Sequence, residues 1–147
     1  MIRVHGSCVD VGGLAVLIRG APGRGKSDLS LRLIDKGARL VADDQVDLEA
    51  REEGLFARSP DTIRGLMEVR GLGLMEVESV PESPLGLVVD LVEGRDIDRL
   101  PDAVYETMEG INVRVLKLDA FEASAVAKVR LAAQAVRRDS KDILCEK

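Results

Sequence analysis

Residues Gly20-Ala21-Pro22-Gly23-Arg24-Gly25-Lys26-Ser27 fit the pattern G-x-x-x-x-G-K-[ST] at every fixed position. Glycines let backbone N–H groups curl around phosphate oxygens, and a following helix presents its positive end to them. Lys26 can reach the β- and γ-phosphates of a nucleoside triphosphate, and the Ser27 hydroxyl can coordinate Mg2+. The segment predicts a bound nucleoside triphosphate and leaves the reaction open. Phosphoryl transfer further needs a carboxylate on the metal side and a group that orients or deprotonates the acceptor. Two apolar runs end in such groups, Leu40-Val41-Ala42-Asp43-Asp44 and Leu87-Val88-Val89-Asp90. By pattern alone Asp90 is the more ordinary metal-side acid. Asp43 and Asp44, adjacent and close to bound phosphates, repel one another, which suits one of them to proton abstraction. Between Gly65 and Leu74, Glu68 could supply a metal ligand and Arg70 a phosphate clamp, with Gly71 and Gly73 giving flexibility. The plainer reading of that segment is an ion pair beside a turn.

The elements that must hold these residues alternate between strand and helix signals. Residues 3–8 and 14–18 read as strands around a Gly12-Gly13 turn. Residues 27–36 read as the helix after the phosphate loop, with Gly37 ending it in a left-handed conformation. Residues 39–42 form the next strand, completing a strand–loop–helix–strand unit of α/β type. Residues 46–51 and 55–58 alternate around Glu52-Glu53-Gly54 as a hairpin. A short helix is expected over 60–67 and a loop over 80–84. Residues 87–92 and 111–118 read as strands. The longest helix is expected over 121–137, with Phe121, Ala125, Val129, Ala132 and Val136 along one face and a short tail after it.

Composition narrows the partners. The chain has 147 residues, the length of one domain, with 21 Lys+Arg against 26 Asp+Glu and a formal charge of −5. Its aromatic residues are Phe56, Tyr105 and Phe121, and it has no Trp. Acidity and scarce aromatics argue against nucleic acid as the main partner. No apolar run approaches membrane-spanning length, and the N-terminus lacks the apolar core of a signal peptide. Cys8 and Cys145, with the single His5, make neither a disulfide framework nor a zinc site, so a reducing cytoplasm is expected.

In series, five segments resemble the catalytic domain of the bacterial HPr kinase/phosphorylase family. They are Val4-His5-Gly6, the phosphate loop, Gly37 to Asp44, Leu66-Met67-Glu68-Val69-Arg70-Gly71-Leu72-Gly73, and Asp98-Arg99-Leu100. The resemblance covers about residues 4–100. It implies an α/β P-loop kinase domain related to phosphoenolpyruvate carboxykinase, its mostly β central sheet joined by a P-loop helix and a C-terminal helix. It also implies a single catalytic domain over 1–147, without the family's N-terminal domain, as in truncated proteobacterial forms. The implied activity is transfer of phosphate from ATP to a seryl hydroxyl of the phosphocarrier protein HPr, with Mg2+, in a cytoplasmic homo-oligomer, a hexamer.

The implied roles fall residue by residue. Asp44 takes the acceptor's proton, and His5 sits beside it and tunes its charge. Ser27 and Glu68 look like Mg2+ ligands, with Asp43 a further candidate, and Lys26 neutralises the transferring group. Arg99 looks like the family's catalytic arginine, and Asp90 becomes a strand residue. Asp28 stands where the family usually has Glu. The Pro/Arg/Gly-rich loop tied to reverse dephosphorylation is not recognisable near residues 112–118. Two other readings remain, a nucleotide-binding regulator without efficient transfer and a small-molecule kinase.

Overall fold

The computed structural model describes residues 1–60 and 65–145, with side chains to residue 139. The first strand signal divides in two. Strand β1 (Ile2–His5) and strand β2 (Ser7–Val11) are separated at Gly6 and enter different sheet layers. A Cβ at position 6 would lie 2.7 Å from the Ile18 carbonyl oxygen, so only glycine passes there. From β2 the chain turns through Gly12 and Gly13, both at positive φ, into strand β3 (Leu14–Arg19). A two-residue loop of this type matches the twist of its flanking strands.

The phosphate loop follows, and helix α1 (Lys26–Asp35) starts from Gly25 at φ 93°. Leu29 and Leu33 are its buried apolar residues against the sheet. The helix ends as expected: Gly37 at φ 105° donates to Ile34 O, and Ala38 donates to Leu33 O. That paired reverse bonding satisfies carbonyls that a helix end leaves free. Strand β4 (Arg39–Ala42) then runs parallel to β3, with β2 lying between them.

The hairpin expected next is present as β5 (Gln45–Arg51) and β6 (Gly54–Arg58). The expected helix over 60–67 is corrected, since Leu66 and Met67 belong to strand β7 (Leu66–Val69), paired with β8 (Gly73–Glu76); residues 61–64 lie outside the described residues. Met67 is buried while its neighbours are open, a period of two rather than 3.6. The loop expected over 80–84 is shorter than that, because strand β9 (Glu82–Leu91) begins at its third residue to pair with β6. A short 3-10 turn (Gly94–Asp96) follows. Strand β10 (Val104–Met108), with no counterpart among the expected elements, pairs with β11 (Ile111–Leu118). The last helix, α2 (Ala125–Cys145), starts four residues late and runs through most of the expected tail. Asp119 is the reason for the late start: its Oδ1 accepts the Phe121 N–H at 3.0 Å and holds 119–124 in turns. Phe121 is therefore outside the helix and exposed.

Strand β9 joins two sheet portions. Along one side it continues β1-β5-β6, all antiparallel; along the other it lies in the order β10-β11-β9-β3-β2-β4, where β11, β9 and β3 are parallel. Val16 and Ile18 of β3 face the helices with Leu29, Leu33 and Val129, whereas Ala15 and Leu17 face Leu48, Leu55 and Val46. Side chains alternate across a strand, so a strand apolar on both faces must be the middle of three layers. The helices form one outer layer and the antiparallel portion the other. No described helix is long and apolar enough to cross a membrane.

Candidate active site

Where the chain passes between layers it makes two corners, and they lie together. Gly6 is the corner between β1 and β2, and Asp43-Asp44 is the corner between β4 and β5. Gly6 donates its N–H to Asp44 O at 2.9 Å. Asp44 is left-handed at φ 73°, a conformation that Asp tolerates better than most residues because its short polar side chain bonds locally. The turn sends the two carboxylates to different neighbours. Asp43 Oδ1 accepts from the buried Ser7 hydroxyl at 3.0 Å and from the Ser27 hydroxyl at 3.4 Å. Asp44 points outward, 75% exposed, with Oδ1 3.5 Å from His5 Nδ1. The expected pair is thus not a facing pair. Asp43 belongs to the phosphate loop, and Asp44 to the open surface.

Lys26 arches across the phosphate loop, donating from Nζ to Gly20 O at 2.7 Å and Ala21 O at 3.4 Å. Gly23 and Gly25 both take positive φ, which lets the loop turn its amides inward. Beyond the corner opens a groove of about 270 Å³ lined by Asp43, Asp44, Ser59, Leu66, Glu68 and Leu74, among others. Glu68 reaches it because the chain after the β7–β8 hairpin is pinned to β4. Leu40 donates to Glu78 O at 2.8 Å and accepts from Val80 N–H at 3.0 Å.

Ser27, Asp43, Asp44, His5 and Glu68 are therefore brought to one place. Arg70, in the exposed hairpin turn with Gly71 and just before Gly73, and Arg99, on an exposed bend after the 3-10 turn, do not line this groove. Neither makes an ion pair among the described residues. Asp90 is committed elsewhere: Arg19 donates to its two oxygens at 2.7 and 3.0 Å, and to Glu106 at 2.9 and 3.0 Å. Hydrogen bonds donated first to Asp90 and then to Glu106 raise the Arg19 pKa, and Arg19 holds Glu106 below the usual carboxylate range. The Cys8 thiol is buried, which, with Asp10, pushes its pKa far up and leaves it inert. Ser7 is the site residue that sequence reasoning missed; only its position directly after the Gly6 corner could have marked it.

No described cluster of three or more His, Cys, Asp or Glu forms a metal cage. Mg2+ does not require one, since it takes one or two carboxylates together with substrate phosphates and water. A serine hydroxyl and a carboxylate converging at the start of the phosphate-loop helix, with Glu68 across the groove, fit that donor set.

Sequence and fold thus define an α/β domain whose phosphate-loop motif abuts a carboxylate-lined groove. The chain belongs to the family described as HPr Serine kinase C-terminal domain, whose model matches residues 1–142. That match runs past residue 100, through β10, β11 and most of α2. Curated relatives called HPr kinase/phosphorylase include those of Clostridium acetobutylicum, 41% identical over 126 residues, and Leptothrix cholodnii, 39% identical over 137 residues. The alignments cover 79% and 83% of this chain but 41% and 42% of those proteins. The chain thus spans about two fifths of their length. Among solved structures, the Hpr(Ser) kinase/phosphatase from Coxiella burnetii matches with a TM-score of 0.82 at 24% identity, covering 99% of this chain and 98% of that one. At that identity the likeness is one of fold.

Proposed function

We propose that this domain is an ATP-dependent protein-serine kinase whose acceptor is an HPr-like phosphocarrier protein. The observation that carries the reading is the divided aspartate pair beside the phosphate loop. Asp43 is held within hydrogen-bond reach of Ser27, while Asp44 is left open to solvent. A base that must reach a serine on another protein has to stand at the surface. One that served a small molecule would sit under a lid, whereas among the described residues the Asp44 side chain is 75% exposed. Family membership and the similarly named relatives point the same way.

In this reading the loop amides of residues 20–25 and Lys26 bind the β- and γ-phosphates. Ser27, Asp43 and Glu68 would hold Mg2+, which would neutralise charge on the phosphates. Asp44 accepts the proton of the seryl hydroxyl as its oxygen bonds to the γ-phosphorus; the bond to the β–γ bridging oxygen breaks, and ADP leaves. The transition state is loose, so positioning and charge supply most of the acceleration. His5 keeps the Asp44 carboxylate oriented. Arg99 brings positive charge to the transferring group when acceptor and enzyme meet, and Arg70 acts from the hairpin turn. A cytoplasmic hexamer, by family resemblance, completes the proposal.

Incubation with γ-labelled ATP, Mg2+ and the host's HPr-like proteins tests it. Label on a serine of such a protein is the expected result. A protein that binds ATP yet labels no acceptor would instead be a nucleotide-binding regulator, and the kinase assignment would fall.

A further inference from the structure

The direction of the triphosphate leaves its other end to be accounted for. Asp43 and Asp44 lie on the β4 side of the phosphate loop, so the γ-phosphoryl end points that way in the proposed reading. The nucleoside end then lies towards the opposite side, where β9 and β11 continue the sheet parallel to β3. Ligands of open α/β sheets sit outside the carboxyl ends of parallel strands. At that position the chain supplies the connection from β11 to α2, residues 119–124.

This connection touches the phosphate loop directly. A Cβ placed on Gly25 would lie 3.2 Å from Ala120 Cβ and 3.3 Å from Phe121 Cε1 and Cζ. The Phe121 ring thus rests its edge against the loop's last glycine, yet 66% of the residue is exposed. It is exposed on a braced segment. Asp119 accepts from Phe121 N–H at 3.0 Å and from Gly94 N–H at 3.2 Å, and Arg32 of α1 donates to Ala120 O at 2.5 Å. One bond within the loop and one each from the 3-10 turn and α1 fix a segment that leaves an aromatic face open beside a phosphate cradle. Every nucleobase has a π face that stacks on such a ring without hydrogen-bond readout.

We propose that Phe121 is the nucleobase platform of the nucleotide site. The proposal rests on the nucleotide reading above and adds to it where the base lies and how it is held. Stacking on one open face grips adenine and guanine alike.

The chain has no Trp, so Phe121→Trp introduces a single fluorophore at the site. Binding of ATP and of inorganic tripolyphosphate, each with Mg2+, is measured for the wild type, Phe121→Ala and Phe121→Trp. Phe121→Ala is expected to weaken ATP about five- to a hundredfold, the range of one base–aromatic stack. It should leave tripolyphosphate unchanged, which also shows that the variant folds. The tryptophan variant should be quenched by ATP and not by tripolyphosphate. Equal losses for both ligands, unchanged ATP affinity, or equal quenching by both would overturn the platform. ATP binding that ignores position 121 would leave the nucleotide reading intact, whereas a wild-type protein that binds no ATP would remove both.

Discussion

Asp43 and Asp44 are neighbours in the chain with different surroundings. One peptide unit at positive φ separates a carboxylate locked between two serine hydroxyls from one that faces water beside His5. In the proposed reading the two have different tasks, which substitution can expose. Asp44→Asn removes the base but keeps the turn, since Asn tolerates the left-handed region as well as Asp does. Transfer to a seryl acceptor should fall at least about a hundredfold, the lower range for a general base. ATP affinity should stay within about twofold of wild type by equilibrium titration, given that Asp44 touches no loop residue that binds phosphate in this reading. Kinase activity persisting in that variant would move the base elsewhere. The pair was legible in the sequence as two acids ending an apolar run. Which acid lies against Ser27 and which faces water was not, because it depends on Ser7 approaching from β2, 36 positions away.

Arg19 operates at the scale of elements. It is the last residue of β3, directly before Gly20, and its guanidinium ties β3 to Asp90 on β9 and Glu106 on β10. Sequence pattern marked Asp90 as an acid at a strand end, but β10 was not foreseen, so its arginine-clamped role was hidden. Arg19 holds the folded-state pKa of Glu106 below its ordinary value. A depressed carboxylate contributes stability above the unfolded pKa of about 4.3 and loses it as pH falls through the folded value. Thermal melts of Glu106→Gln against wild type should therefore differ most near neutrality. The gap should close progressively below about pH 4, where the wild-type carboxylate protonates too. A gap that widened in acid would contradict the clamp. The same scale explains α2: its apolar period was readable, whereas its start was decided by an Asp119 turn.

At the scale of the molecule, the phosphate loop is held by what lies under it. Helix α1 begins within the loop motif and buries Leu29 and Leu33 completely between the sheet and α2. Leu29→Ala should destabilise the fold by about 2–5 kcal/mol, the usual range for a leucine lost from a packed core. Denaturant unfolding checks this, and a loss well under 1 kcal/mol would show that the helix is not seated as described. The chain's own letters determined the phosphate loop, the helix that follows it with its Gly37 stop, the strands that bury both faces, and the acids and arginines that could serve a phosphoryl site. These are local matters of period, capping and short spacing. Tertiary structure alone decided that Gly6 and Asp43-Asp44 form adjoining corners, that Glu68 meets them while Arg70 and Arg99 stay outside, and that Phe121 lies open beside Gly25. Each of those depends on segments far apart in sequence being brought together, and hydrogen bonds between such segments carry no short-range signal.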